Sequence, residues 1–468
     1  MHWTERLFKV KENGSTINRE VYSGLVSFLA VSYILAVNPA ILGETGMNQP
    51  GVLCATALAG FVGTMLMALM ANYPLVLAPA MGLNAFFTYT VVKTMGYSWQ
   101  FALFAVVIEG IVFFLLSVSS IREKIITVIP MPLKYAMGAG IGMFITLIAF
   151  KSAHITQDHP ETLLALQNFT KETFPTAGIS AVLALFGVLV TAYLFCKKVP
   201  GSLLLGILIT WIAGMICQAA DVYHVTPEAG FYSLFPNFSK ETFLAPLYGF
   251  RELFGSAFRT DEWFNSLSGK SGWQLFFSLD FIVVCLAFLF TDFFDTVGTI
   301  NGAVVNTPLM EKDGTIPRIK GALLADSIAT FAGGVFGTST TTTFAESAAG
   351  INAGARTGLA AMTAAMLFLV SLVAAPIFMA IPGFATAPAL IIVGFLMVKA
   401  GKNIDLEDIS AAIPAYLLVV GTVFTYSVSD GLGLGIISWT LLNFRDKKRS
   451  NLLLRVLTLL FILKYVYL

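Results

Sequence analysis

Two short interrupted segments lie at matching places in the two halves of an otherwise strongly apolar chain. The first covers residues 74–87 and contains Pro79, and the second covers residues 337–350 and contains four threonines at 340–343. Proline lacks a backbone donor and its fixed φ suits the first turn of a helix, whereas β-branched threonine favours extended backbone. Each segment is therefore predicted to be a short strand that leads into a half-helix.

The composition places the chain among membrane proteins. Hydrophobic residues make up 57% of the 468 residues and charged residues only 12%, which predicts an all-α polytopic membrane protein. The net charge of +1 gives no reason to expect a nucleic-acid partner. The polar first twenty residues contain no cleavage site, so we expect no removable signal peptide.

Apolar stretches and positive charges together predict the topology. We count fourteen stretches that could cross the membrane wholly or in part, of which the third and the tenth are the short interrupted segments. With the N-terminus in the cytoplasm, three quarters of the 28 Lys and Arg residues fall on the inside. Most of the others fall in one long outside loop, where the positive-inside rule is weak. This topology predicts cytoplasmic N- and C-termini.

An odd number of spans in each half predicts an inverted repeat of seven plus seven spans. The predicted regions are a cytoplasmic tail (1–20), a first repeat (21–219), an extracellular loop (220–275), a second repeat (276–444) and a cytoplasmic or interfacial tail (445–468). The spacing between Asn84 and Glu346 is close to that between the starts of the first and eighth spans. The last tail is short and follows a basic cluster, which favours an interfacial helix over a fifteenth span.

Backbone that leaves helical geometry inside a bilayer must find hydrogen-bond partners in protein or ligand. Two half-helices from inverted repeats should point their N-termini at each other near the midplane, where free N–H groups can hold an electronegative group. Paired interrupted segments of this kind are typical of the substrate site of a secondary transporter. A Gly/Pro kink in an ordinary span is the alternative interpretation.

Acidic residues inside spans need a reason, because a central carboxylate costs about 2.5–3.5 kcal/mol on insertion scales. Asp292 and Asp295 are three residues apart and share a helix face with Thr299. This face predicts a polar cavity, with a structural ion pair as the alternative, although no Lys or Arg lies in the neighbouring spans. Asp326 is interpreted as a structural hydrogen-bond hub, and the sequence leaves the role of Glu109 open.

Proton handling in the core must depend on carboxyl groups, because the four histidines all lie in the tail or in outside loops. A buried carboxyl group can gain and lose a proton near neutral pH. No P-loop, nucleophile–base pair or zinc motif is recognisable, and the four cysteines have no metal-ligand spacing. We therefore expect no enzyme, no metal and no cofactor.

Four motifs carry a resemblance to a known family. They are Ala-Pro-Ala-Met-Gly-Leu-Asn-Ala-Phe-Phe at 78–87, Asp-Phe-Phe-Asp-Thr-Val-Gly-Thr at 292–299, the whole interrupted segment 337–350, and Ala-Thr-Ala-Pro-Ala-Leu at 385–390. With them the chain resembles the nucleobase–cation symporters of the nucleobase–ascorbate transporter superfamily. It is most similar to the azaguanine-type branch, the adenine/guanine/hypoxanthine permeases, from Arg19 to about Leu442.

The resemblance implies the architecture and the activity. A core domain (spans 1–4 and 8–11) would carry the substrate against a gate domain (spans 5–7 and 12–14), and two copies would form a homodimer through the gate domain. The implied activity is import of a purine nucleobase (hypoxanthine, adenine or guanine) by proton symport across the cell membrane, plasma or inner. Sodium is the less favoured coupling ion.

The resemblance also implies the site. Asp295 and Glu346 match the family's substrate-binding acids and are the candidates for proton coupling, while Gly82 and Asn84 match its third-span motif. Four further substrate-binding candidates lie beside them: Thr299, Phe344, Ser347 and Phe294.

Three alternative functions remain open. A uracil or xanthine permease often has Glu-His where this chain has Asp295-Thr296, which favours the purine branch. An anion exchanger of the same architecture should have a basic or neutral site, because fixed carboxylates repel an anion. An enzyme or receptor should show a nucleophile, a metal cluster or a large soluble domain.

Overall fold

The structure is a computed structural model that describes residues 3–119, 130–159, 163–304, 318–446 and 452–467. Within these residues, nine helices are long and apolar enough to cross a membrane. The chain is therefore a multi-pass membrane protein, mostly helical, as its composition predicts.

The helices of the first half include one break and one π-helical segment. They are α1 (Trp3–Phe8), α2 (Ile17–Val31), α3 (Ile34–Gly43), α4 (Gln49–Leu66), α5 (Met81–Ala85), α6 (Trp99–Val118), α7 (Met131–Ser152), α8 (Ile179–Cys196) and α9 (Ser202–Ala219). Helices α2 and α3 together form one apolar segment that is broken at Ser32 and Tyr33. A π-helical segment, Phe86–Thr94, extends α5.

The second half follows helix α10 (Lys240–Leu253), which lies in the predicted extracellular loop. Its helices are α11 (Leu279–Val304), α12 (Ile319–Phe336), α13 (Ala348–Ala353), α14 (Gly358–Ser371), α15 (Ala375–Met379), α16 (Gly383–Val398), α17 (Ile409–Phe424), α18 (Val428–Leu442) and α19 (Leu452–Tyr467). A 3-10 turn, Ala345–Ser347, precedes α13.

The strands are short and form two antiparallel pairs. Strand β1 (Leu77–Pro79) pairs with β4 (Thr341–Thr343), and β2 (Thr156–His159), which follows the C-terminal end of α7, pairs with β3 (Leu163–Leu166). The β1–β4 pair joins the two interrupted segments, and every residue in it is buried. Each interrupted segment is a short strand that leads into a half-helix, so this sequence-based prediction is confirmed.

The register of β1 and β4 reveals an approximate twofold relation between the halves. Ala78 pairs with Thr342 at the centre, and the backbone N–H groups of Ala80 and Phe344 donate symmetrically to the opposite segment at 3.0 and 2.9 Å. Counted from this local centre, Gly82 and Glu346 lie four positions beyond Ala78 and Thr342 on their own segments.

Threonines from neighbouring helices hold the two strands. The Thr64 hydroxyl in α4 donates to the carbonyl of Leu77 and accepts from its N–H, both at 3.0 Å. In the second half, the Thr330 hydroxyl in α12 donates to the carbonyl of Thr341 at 3.0 Å. Since buried backbone polar groups need partners, these hydroxyls allow extended chain to exist inside the bundle.

Helix packing falls into two groups. Helices α2, α4, α6, α11, α12 and α14 pack around the β1–β4 pair, while α7, α8, α9, α16, α17 and α18 pack mainly against one another. Helix α10 packs on α4, where Gly51 and Gly249 bring the two backbones into close approach. The last helix, α19, packs against α18 and α11.

Candidate functional site

Glu346 lies in the 3-10 turn that follows β4, and its side chain is partly exposed. The Tyr33 hydroxyl donates a hydrogen bond to its Oε1 atom at 3.1 Å. Tyr33 is buried, and it reaches the carboxylate because the α2–α3 segment breaks at this residue. The Tyr33 ring also lies near the Phe344 ring, with centroids 6.4 Å apart and planes at 58°.

Asp295 of α11 belongs to the same candidate site as Glu346 and Tyr33. Its side chain is partly exposed, and it interacts electrostatically with both Glu346 and Tyr33. The two carboxylates are thus partly exposed, whereas Glu109, Asp292 and Asp326 on the neighbouring helices and on α11 are buried. Among the described residues, no ion pair neutralises either of them. Such a pair can accept hydrogen bonds or take up protons.

Three other predicted residues sit around the strand crossing. The Ser347 hydroxyl accepts from the N–H of Val76 at 2.9 Å, so it ties the second half-helix to the first strand. Asn84 is fully buried and its Oδ1 accepts from the Ser339 hydroxyl. Its Nδ2 group has no partner among the described residues. Ser347 and Asn84 therefore both link the two interrupted segments by hydrogen bonds. Their contact with substrate stays a prediction.

Gly82 has a packing reason to be glycine. A Cβ atom there would lie 2.7 Å from Cγ2 of Ile141 in α7. The first half-helix therefore approaches α7, from the other helix group, more closely than a side chain would allow. Of the remaining candidates, Thr299 is nearly buried on α11, Phe344 is buried beside Tyr33, and the side chain of Phe294 lies outside the described part of the structure.

A second acidic cluster lies behind β4, and it separates Asp292 from its neighbour Asp295. Glu109, Asp292 and Asp326 are almost fully buried and interact electrostatically. Each lies within hydrogen-bond distance of a threonine hydroxyl: Glu109 of Thr340 at 2.6 Å, Asp292 of Thr330 at 3.2 Å, and Asp326 of Thr296 at 2.7 Å. Asp326 accepts one of these hydrogen bonds, so its role as a hydrogen-bond hub stays a prediction, and Glu109 belongs to the same cluster.

The Thr330 hydroxyl has two possible acceptors. Asp292 Oδ2 and the Thr341 carbonyl both lie within bonding distance of it. Its single hydrogen is shared between them or goes to one of them, unless Asp292 is protonated and donates to the hydroxyl. Buried carboxylates without a cation are also costly. We therefore interpret this cluster as support for β4. Asp295 and Glu346 remain the candidates for the accessible site.

Sequence reasoning missed Tyr33. A search for charged residues within spans does not find a tyrosine, because its hydroxyl is one polar atom on an apolar ring. The available signal was weak: Ser32 and Tyr33 are adjacent polar residues within an apolar stretch. The break between α2 and α3 brings the Tyr33 hydroxyl to Glu346, and this break appears only in the folded chain.

Comparison with solved structures identifies the fold. The transmembrane domain of the cyanobacterial bicarbonate transporter BicA superposes with a TM-score of 0.58 at 16% identity, covering 89% of this chain and 97% of that one. Murine Slc26a9, an anion transporter in the inward-facing state, superposes with a TM-score of 0.59 at 9% identity, covering 92% and 69%. At these identities the likeness is one of fold.

Comparison with curated proteins identifies the family. The chain is 38% identical to the putative permease MJ0326 of Methanocaldococcus jannaschii, over 100% of this chain and 99% of that protein. It is 37% identical to the guanine/hypoxanthine permease PbuG of Bacillus subtilis (98% and 99% covered) and 33% identical to the adenine permease AdeP of Escherichia coli (99% and 96%). The model of the permease family that takes in xanthine/uracil permeases matches residues 18–433. The chain therefore belongs to this permease family.

Proposed function

We propose that this permease imports purine nucleobases (hypoxanthine, adenine or guanine) by proton symport with alternating access. The observation that carries the proposal is the pair of accessible carboxylates, Asp295 and Glu346, at the crossing of the two interrupted segments. The names of the relatives support the substrate class, since they include adenine and guanine/hypoxanthine permeases.

The site chemistry suits a purine. A purine carries N–H donors along its rim, and Asp295 and Glu346 supply carboxylate acceptors for them. Hydrogen bonds to a charged acceptor contribute about 1.5–3 kcal/mol each, which is enough to select a base with correctly placed N–H groups. Phe344, beside Tyr33, offers an aromatic surface against which a flat ring can pack.

Proton coupling follows from the same two acids. A carboxyl group that accepts a proton loses its charge and its capacity to accept two hydrogen bonds, so proton binding and substrate binding are linked. Because a buried carboxyl group can gain and lose a proton near neutral pH, we favour a proton over sodium as the coupling ion.

We propose fourteen crossing segments in a seven-plus-seven inverted repeat, with the N-terminus in the cytoplasm. The two helix groups correspond to a core domain that carries the substrate and a gate domain. Relative movement of the two would expose the site to each side in turn. The gate domain would also form a homodimer in the cell membrane.

An anion exchanger is the main alternative, because BicA and Slc26a9 share the fold. The two carboxylates oppose it, since among the described residues none of the ion pairs places a cation beside them. A uracil or xanthine permease is the other alternative within the family.

Radiolabelled hypoxanthine uptake tests the proposal in cells that lack their own purine uptake. Excess unlabelled adenine or guanine should reduce the uptake, whereas uracil, xanthine and bicarbonate should not. A proton uncoupler should abolish accumulation, and replacement of sodium should have no effect. Uptake that only uracil or xanthine inhibits, or that persists with the uncoupler, would contradict the substrate or the coupling, respectively.

A further inference from the structure

The last helix, α19, runs antiparallel to α18 along its whole length. Arg455 Nη2 donates to the carbonyl of Phe444 at 2.9 Å, just beyond the end of α18. The Thr458 hydroxyl contacts Thr440 Oγ1 at 2.7 Å, and the Tyr465 hydroxyl donates to the carbonyl of Asp430, near the start of α18, at 3.1 Å. Residue numbers rise along one helix as they fall along the other.

The neighbours of α18 give its direction across the membrane. The N–H of Val428, at its start, lies 3.4 Å from Thr90 Oγ1, and the Thr90 hydroxyl lies 3.3 Å from the carbonyl of Tyr426. Thr90 belongs to the outer part of the first half-helix, which starts at the strand crossing and runs outward in the predicted topology. Helix α18 therefore runs from outside to inside, and α19 returns toward the outside.

The length of α19 matches this path. Its 16 residues span about 24 Å at 1.5 Å per residue, most of the ~30 Å hydrocarbon core. We propose that α19 is a fifteenth membrane-crossing helix and that the C-terminus lies outside the cell. This replaces the interfacial helix and cytoplasmic C-terminus that the sequence favours, because an interfacial helix could not reach Phe444 and Asp430 at opposite ends of α18.

The two faces of α19 differ in chemistry. The polar contacts of Arg455, Thr458 and Tyr465 go to α18 and to Phe444 beyond its end. Leu457 and Phe461 line a small apolar cavity between α11 and α18, with Leu286, Ala287 and Phe290 of α11 and Leu432 and Ile436 of α18. Gly433 makes room on α18, since a Cβ atom there would lie 2.7 Å from Cδ1 of Phe461.

This asymmetry has a mechanical consequence, which rests on the proposed function because it assumes moving domains. Helix α18 belongs to the group we assign to the gate, and α11 carries Asp295 in the group we assign to the core. Hydrogen bonds are directional and fix α19 to the gate. Apolar contacts are non-directional, so α19 gives α11 a surface along which the core slides.

Thiol labelling tests the topology without depending on transport. In a variant whose four native cysteines are replaced by serine or alanine, a cysteine is added after Leu468. An impermeant maleimide should label it in intact cells, as it labels the outside control Lys270→Cys. The inside control Lys402→Cys should react only after permeabilisation. Labelling of the added cysteine only after permeabilisation would overturn the fifteenth span.

Two double-cysteine variants test the sliding surface. Oxidation of Thr440→Cys/Thr458→Cys links α19 to the gate, and uptake should stay within about twofold of the reduced protein. Oxidation of Ala287→Cys/Phe461→Cys links α19 to the core, and uptake should fall at least tenfold and recover on reduction. Unchanged uptake after complete α11–α19 cross-linking would overturn the sliding surface. If no reduced variant takes up purine, the proposed function fails, and the labelling result still decides the topology.

Discussion

The Tyr33 hydroxyl donates to Oε1 of Glu346 across 3.1 Å, although the two residues are 313 positions apart. The contact joins the break in the first apolar segment to the tip of the second half-helix. It orients the carboxylate and satisfies one of its acceptor sites when no substrate is present. Tyr33 is therefore a positioning residue for the candidate site.

Tyr33→Phe should raise the KM for hypoxanthine about tenfold or more, because a hydrogen bond to a charged group contributes roughly 1.5–3 kcal/mol. The phenyl ring keeps the packing against Phe344, so the amount of protein in the membrane should not change. Tyr97→Phe is the matched control, since its hydroxyl contacts Ser278 outside the site. A KM for Tyr33→Phe equal to that of Tyr97→Phe would contradict the positioning role.

Glu346→Gln should abolish accumulation of hypoxanthine, because an amide cannot exchange a proton and offers one acceptor oxygen where the carboxylate offers two. Asp295→Asn should do the same. Glu252→Gln serves as the control, since Glu252 lies on helix α10 and contacts Asn48. If either variant accumulates hypoxanthine to the wild-type level at equal expression, then that acid is not part of the mechanism.

Asp326→Ala should destabilise the protein by about 1–3 kcal/mol, because the Thr296 hydroxyl would lose a buried partner. Asp326→Asn keeps an acceptor oxygen and should lose less. Thermal unfolding in detergent measures both. Equal melting temperatures for Asp326→Ala and wild type would show that the buried cluster does not support β4.

Gly82→Ala should reduce uptake at least tenfold, because the added methyl group would meet Ile141 at 2.7 Å. The double variant Gly82→Ala/Ile141→Ala restores space on the α7 side and should recover most of the activity. Failure of the second substitution to rescue would indicate that Gly82 acts through the backbone or the substrate and not through packing against α7.

Much of the architecture could be predicted from local sequence. Long apolar stretches predict membrane helices, and Pro79 together with the threonines at 340–343 predicts two strands, because backbone preferences act within a few residues. The meeting of the two interrupted segments could not be predicted in this way. Strand pairing places Ala78 opposite Thr342, a register that the spacing between the halves does not specify.

The membrane class and the interrupted segments follow from the chain alone, because hydropathy and backbone stiffness are local properties. The cost of a buried charge likewise marks Asp295 and Glu346 as candidates. The fold divides the acids between an accessible pair and a buried, threonine-bonded cluster, and it brings Tyr33 to Glu346. These relations depend on where a helix breaks and how strands align across some 300 residues. Tertiary packing therefore decides them.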